Sequence, residues 1–564
     1  MDAVLLFRDE YYRNWEYLTA YFSERGVHVA AVNSPPRLMT NGVDNFISTE
    51  KYYETIVPES QTAEIFDTLR HLDKCHARRL EELDSMPRRT LTSVWWPFVQ
   101  HGLMGGENDV TVIDSAWSDF FGVYRSDRNS SNQTSTEASR ASLLEPHFDG
   151  SASWWTQALG HAHPRLAIAA ARAAGRYGHV MFPQATHLPA LRLAERLLHD
   201  GPGKGWASRV FFSDDGSTGM EIALKMALRA FTAKGGQKLD SSAKKKLGVL
   251  GLKGSYHGDT IGAMDACEEG VYTCEWHNAK GYWFEPPTIS IRQGQVAVML
   301  PAAIAAECGN PTGTIEMSSL SWAYNISKRL NTPLADVYRQ YLLRTLGGIQ
   351  RHSEPQIAAL VLEPLIMGAG GMIFVDPLFQ RIMVDVVRGS VEGSQTGWSG
   401  MPVIFDEVFV GLYRVGVQST AALLGVKPDI AVYAKVLTGG IVPMAVTLAS
   451  DSIFQAFFSE TKTDALLHGH SYTAHPIGCE VANETLDIVE NLSTSNSWKD
   501  ARAKWKSNDV GGPNVWSFWD PDFVDSLSRT DAVAGVMTLG TVLAFRVKDK
   551  DGGQLLFSHH PTYT

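Results

Sequence analysis

The chain has 564 residues, 44% of them apolar and 20% charged, and a formal net charge of −11. That length exceeds what a single hydrophobic core holds, roughly 250–300 residues, so at least two domains are expected. The acidic balance excludes nucleic acid or an anionic membrane as the main partner, because both call for clustered cations.

The five cysteines (Cys75, Cys267, Cys274, Cys308 and Cys479) are scattered and form no C-x-x-C pair. A disulfide framework and a zinc site are both disfavoured, no metal is expected, and a reducing compartment fits. No apolar run is long enough to span a bilayer. Asp2, Asp9, Glu10 and Glu16 make the start unlike a signal or transit peptide, so any organelle address is expected outside this chain.

In chain order, residues 1–90 read as a segment of their own. Short strands are predicted at Val4–Phe7 and Val27–Val32 and a helix over 62–84, with a boundary at Pro87-Arg88-Arg89. Residues 126–142 are polar and rich in Ser and Thr, which predicts a mobile loop, and Lys244-Lys245-Lys246 reads as a solvated loop. From about 155 to 455 helical stretches alternate with apolar runs at Arg209–Phe212, Leu247–Leu252, Ile357–Leu362, Pro402–Phe405 and Ile430–Tyr433. Continuous apolar runs are how strands buried on both faces of a parallel sheet read. Residues 265–355 look like an irregular insertion. A region over 456–564 follows, with a helix, a Gly/His/Ser-rich loop, a second helix and one buried strand at Gly540–Val547.

Four places carry chemistry. The run Val210–Phe212 leads into Gly216, Ser217 and Thr218 and then a helix with an apolar stripe from Met220 to Phe231. Free N–H groups at a helix start, with a serine hydroxyl, suit an anion such as phosphate, although ordinary strand-to-helix turns look the same. The stretch Tyr256-His257-Gly258-Asp259-Thr260 puts an aromatic ring, an imidazole and a carboxylate at a strand's end, where ligands of open α/β sheets bind; Tyr256 suits stacking on a planar heterocycle. Asp406 ends an apolar strand and needs a partner. A protonated pyridine nitrogen suits, as do backbone N–H groups or Arg414. Lys435 follows another apolar strand 29 residues on. Burial lowers a lysine's pKa and makes its amine nucleophilic. Together these are the parts that pyridoxal phosphate needs.

These residues resemble the class III pyridoxal-phosphate aminotransferases, and among them the diaminopelargonate aminotransferases of biotin synthesis. The resemblance rests on Ser153-Trp154-Trp155, His179–Phe182, Asp215–Ser217, Tyr256–Thr260, Glu363-Pro364, Gly368–Met372, Phe405–Glu407, Lys435–Gly440 and His468-Gly469, and covers roughly residues 93–548. It implies an α/β fold of fold-type I, with a mostly parallel central sheet over 91–455 and a small, incomplete α+β domain over 456–564. It implies Lys435 as the Schiff-base lysine, Asp406 on the pyridinium, and Tyr256 beside the ring. Gly216 and Ser217 would bind the phosphate, and Ser471 would reach the phosphate of a partner subunit in a homodimer. Trp154, Trp155, Phe98 and Gly469 would line the substrate pocket. The implied substrate is 8-amino-7-oxononanoate and the implied amino donor S-adenosylmethionine. Another class III activity on ω-amino acids is the alternative, and the Trp154-Trp155 pair argues against it.

Trp95–His101 and the 265–355 stretch resemble the eukaryotic fusion, in which a dethiobiotin synthetase domain comes first; that version implies a mitochondrial location. Residues 1–85 would then match only the synthetase's last part. No G-x-x-x-x-G-K-[ST] phosphate loop occurs, so synthetase activity is not expected. The family's late Arg-Pro motif, whose arginine grips a substrate carboxylate, is also missing. Phe98 stands where bacterial relatives have a tyrosine. A chain that binds cofactor but turns over poorly is therefore expected.

Overall fold

The computed structural model describes residues 59–125, 144–234, 246–270, 273–351, 355–389, 400–506 and 515–548. The strands expected at Val4–Phe7 and Val27–Val32, the 126–142 loop and most of the Lys244–Lys246 run lie outside them. The chain divides into two compact units, residues 1–149 and 150–564.

In the first unit a helix spans Glu59–Ser93 and runs on through Pro87, beyond the stretch predicted from sequence. An antiparallel three-stranded sheet follows, of Val112–Trp117, Phe120–Tyr124 and Leu144–Phe148. Arg79 ties the helix to the first strand through Asp114 at 2.7 Å, and the Tyr124 hydroxyl donates to Asp84 at 3.0 Å.

The second unit is built on a seven-stranded sheet. In chain order its strands are β1 (Ala207–Ser213), β2 (Leu247–Leu252), β3 (Gly281–Phe284), β4 (Gln356–Leu362), β5 (Val403–Asp406), β6 (Ile430–Tyr433) and β7 (Ala445–Ser450). Their spatial order is β1-β7-β6-β5-β4-β2-β3. All neighbours from β6 to β3 are parallel, and only β7 runs antiparallel to both its partners. Alternate residues of each strand enter two separate cores. Leu250, Leu360, Leu362, Phe405 and Tyr433 face one, shared with the helix Pro377–Arg388. Val249, Ala359, Val361, Ile404 and Val432 face the other, shared with the helix Gly216–Lys234. Both faces are covered, which is why these strands read as unbroken apolar runs.

Two expectations change. Residues 265–355 are not irregular: they supply the edge strand β3, the helix Pro333–Ile349, and the strands Thr288–Arg292, Gln295–Met299 and Thr314–Met317. These three strands join Val533–Leu539 and Val542–Val547 in a five-stranded antiparallel sheet. The C-terminal stretch is thus a hairpin rather than one buried strand. Val542–Val547 lies at the sheet's edge, buried at Val542 and exposed from Phe545 onward. The sequence hides this sheet because its strands are four to seven residues long, all but Val533–Leu539 only partly buried, and brought together across more than 200 residues.

Candidate active site

The parallel strands end on one side of the sheet, and the chemically able residues lie just past those ends. Asp406 is the last residue of β5 and is buried. Its Oδ2 accepts from the His257 imidazole at 2.8 Å, and its Oδ1 accepts from the Val408 N–H at 3.1 Å. The carboxylate is therefore held by a histidine and a backbone amide, not by Arg414. His257 is buried, and its other nitrogen, Nε2, has no hydrogen-bond partner among the described residues.

Lys435 opens the turn after β6, with a left-handed backbone at φ +50°. Such a conformation costs a non-glycine residue about 1–2 kcal/mol and is kept where the surroundings enforce it. The amine lies 5.0 Å from the centre of the Trp155 ring and 5.7 Å from that of Phe409. Burial pulls its pKa down to about 8, and the Arg414 cation adds to the fall, while Asp406 and Glu363 act in the opposite sense. Arg414 itself is held by the Trp155 carbonyl oxygen, and burial lowers its pKa to about 10.

Tyr256 follows β2. Its backbone N–H donates to Glu363 Oε1 at 2.8 Å, and burial and the neighbouring Asp259 carboxylate push its phenol well above the ordinary range. Glu363 Oε2 accepts from the Gly368 N–H at 2.9 Å. Burial and the nearby Asp406 raise the Glu363 carboxyl to about 7.

Gly216 and Ser217 begin the helix Gly216–Lys234, capped by Asp215, which accepts from the Thr218 N–H at 2.9 Å. The Ser217 hydroxyl is 2.8 Å from that of Thr260 and also accepts the Thr260 N–H. The turn is packed closely: a Cβ on Gly216 would stand 2.8 Å from Val408, and one on Gly219 would stand 2.7 Å from Val432 of β6. The helix start is thereby fixed against the strands that carry Asp406 and Lys435.

The other expected residues are spread out. Trp155 is half-buried against Phe409, with ring centres 5.5 Å apart, whereas Trp154 is 55% exposed. Ala152, Ser153, Trp154 and Trp155 all have positive φ, a left-handed turn that holds the pair. Gly469 and Ser471 lie on an exposed loop before the helix Pro476–Ser493. Phe98 belongs to the first unit and is exposed. Sequence reasoning gave no role to Phe409, Glu363 or Thr260. Glu363 and Thr260 stood out only as parts of the motifs Glu363-Pro364 and Tyr256–Thr260. Among the described residues no group of three or more His, Cys, Asp or Glu could hold a metal, and no helix is long and apolar enough to cross a membrane.

The family model for aminotransferase class-III matches residues 145–299 and 302–508. The chain belongs to the class-III aminotransferases. The family's cofactor is pyridoxal 5′-phosphate, and this aminotransferase carries the strand ends and turns described above within the matched span. The bifunctional dethiobiotin synthetase/adenosylmethionine-8-amino-7-oxononanoate aminotransferase of Emericella nidulans is 44% identical over a 574-residue alignment, which covers 98% of this chain and 70% of that protein. The bifunctional dethiobiotin synthetase/7,8-diamino-pelargonic acid aminotransferase of Oryza sativa, named as mitochondrial, is 41% identical over 87% of this chain. The chain spans 57% of the rice protein and 53% of its Arabidopsis thaliana counterpart. The crystal structure of the Methanocaldococcus jannaschii adenosylmethionine-8-amino-7-oxononanoate aminotransferase is 20% identical, covering 83% of this chain and 85% of that one with a TM-score of 0.57. At that identity the likeness speaks for the fold, which is the fold-type I α/β architecture.

Proposed function

We propose that this chain transfers an amino group to 8-amino-7-oxononanoate, giving 7,8-diaminononanoate, with S-adenosylmethionine as donor. The observation that carries the reading is a nucleophilic lysine amine facing two aromatic rings, near a carboxylate backed by a buried histidine, in a chain 44% identical to the aminotransferase from Emericella nidulans.

The residues fit pyridoxal phosphate. Lys435 offers the amine, Asp406 a carboxylate for the pyridine nitrogen, Tyr256 an aromatic neighbour, and Gly216, Ser217 and Thr260 a helix start with two hydroxyls for the phosphate. The buried Nε2 of His257, which lacks a partner among the described residues, fits a polar group from outside the chain. When bound, the cofactor supplies an electrophilic carbon and an electron sink for the bond broken at the substrate's amine-bearing carbon. Lys435, with its amine largely neutral above about pH 8, takes the proton from that carbon at Nζ and returns it. Asp406 keeps the ring nitrogen protonated. Trp155 and Phe409 shed water from the lysine and give an apolar chain a wall to lie against.

In this reading Trp154 and Gly469 contact substrate, and a second copy completes the site by bringing Ser471 to the phosphate. Support for a second copy comes from the exposed apolar residues Met181, Leu467 and Tyr472, in and beside the segments concerned. A mitochondrial location, stated for the rice relative by its name, belongs to the same reading. The test is a single-turnover assay of the cofactor-loaded chain with S-adenosylmethionine and with ω-amino acids as donors. Formation of 7,8-diaminononanoate from the first is expected; transfer only from ω-amino acids to other acceptors would replace this assignment with another class III activity.

A further inference from the structure

Glu363 is an acid that the proposed chemistry does not use. It follows β4 and is 5% exposed. Its two oxygens accept from two different loops: Oε1 from the N–H of Tyr256, and Oε2 from the N–H of Gly368. The acid is itself fixed from behind. Gln380, on the helix Pro377–Arg388, donates from Nε2 to the Glu363 carbonyl at 2.8 Å and accepts the Leu365 N–H at 2.7 Å. The two loops also touch directly, since a Cβ on Gly370 would overlap the Gly254 carbonyl oxygen. Beyond Tyr256 the next residue is His257, the partner of Asp406.

We propose that Glu363 is a positioning residue that docks the Tyr256–His257 loop on the glycine loop 368–372 and so sets where Tyr256 and Asp406 stand against the cofactor. The inference rests on the reading of this pocket as the cofactor site. In its ionised form, above about pH 7, the Glu363 carboxylate is the one side chain of this length with two acceptor oxygens and no donor. An amide would present an NH₂ to one of the two N–H groups, and that loop would lose its anchor. A buried donor left without an acceptor costs about 1–3 kcal/mol, enough for roughly a tenfold change in an equilibrium.

A neighbouring acid provides the control. Glu407 is also buried, but its oxygens take the Ser419 hydroxyl, the Thr420 N–H and the Tyr433 hydroxyl, all away from the Tyr256 loop. Glu363→Gln should weaken cofactor binding to the apo protein about tenfold and reduce the circular dichroism induced in the bound cofactor, with a smaller loss of apo melting temperature than Glu407→Gln causes. Glu363→Asp keeps the charge but is too short to span both loops, and should show the same cofactor defects. It decides the matter if the glutamine variant fails to fold. Wild-type affinity and wild-type dichroism in the Glu363 variant that folds would overturn the proposal. So would a glutamine variant that loses stability as Glu407→Gln does while keeping the cofactor signal. Borohydride fixation of cofactor to Lys435 in the wild type tests the pocket itself. If that fixation succeeds and the Glu363 effects are missing, only this inference fails.

Discussion

The two sheets of the second unit differ in what they do with the same backbone pattern. Over β2, β4, β5 and β6 the central sheet buries both faces, so these strands carry apolar side chains or glycine at every interior position, and polar residues gather at or just past their carboxyl ends. Asp406 ends β5, and Glu363, Tyr256 and Lys435 lie within four residues of the ends of β4, β2 and β6. The five-stranded sheet is antiparallel, partly exposed on all its strands but Val533–Leu539, and no residue assigned to the site lies on it. A parallel sheet points all its strand ends one way, and so collects side chains from distant parts of the sequence; an antiparallel sheet divides them between two edges.

The largest effect should come from the amine at the end of β6. Lys435→Ala is expected to lower transamination about 10,000-fold and to abolish borohydride fixation of cofactor at that position, read by peptide mass spectrometry. Borohydride fixation of cofactor that persists in the alanine variant, at the peptide of another lysine, would mean that Lys435 is the wrong residue. Asp406→Asn should cost on the order of 100-fold in the half-reaction rate with the fold intact, because a neutral amide supports a protonated ring nitrogen poorly. A near-normal rate would mean that the strand-end carboxylate is structural.

Stability should divide between the sheets in the same way. Phe405→Ala, in the middle of the central core, is expected to cost about 3–5 kcal/mol in urea unfolding. Phe545→Ala, on the exposed edge strand, should cost less than about 0.5 kcal/mol. Comparable losses at both positions would show that the outer sheet is as much a part of the core as the inner one.

The smallest effect is a pH dependence. Lys435 has a folded pKa near 8, below its ordinary 10.5, so between those values the folded chain binds fewer protons than the unfolded one. Its burial therefore costs most below pH 8, and the cost fades as pH rises toward 10.5. Cofactor association with the apo protein should quicken with pH, with a midpoint near 8, measured by stopped-flow absorbance. Lys435→Arg should remove that midpoint.

The sequence by itself determined the family and five of the seven strands of the central sheet, since Leu247–Leu252 and Ile430–Tyr433 can be read to the residue as buried parallel strands, while β3 and β7 were not legible. It also singled out Lys435, Asp406, Tyr256, Gly216 and Ser217, because a charged or hydroxyl residue at the end of an apolar run stands out locally. The tertiary structure alone decided the partners. That Asp406 belongs to His257, Glu363 to the Tyr256 loop as well as to nearby Gly368, and Lys435 to the faces of Trp155 and Phe409 depends mostly on contacts between distant parts of the chain, up to 280 residues apart. The outer sheet was hidden for the same reason, as Val536 meets Ile291 only after the chain between them has folded. Local pattern records which faces are buried; it holds no record of what is buried against them.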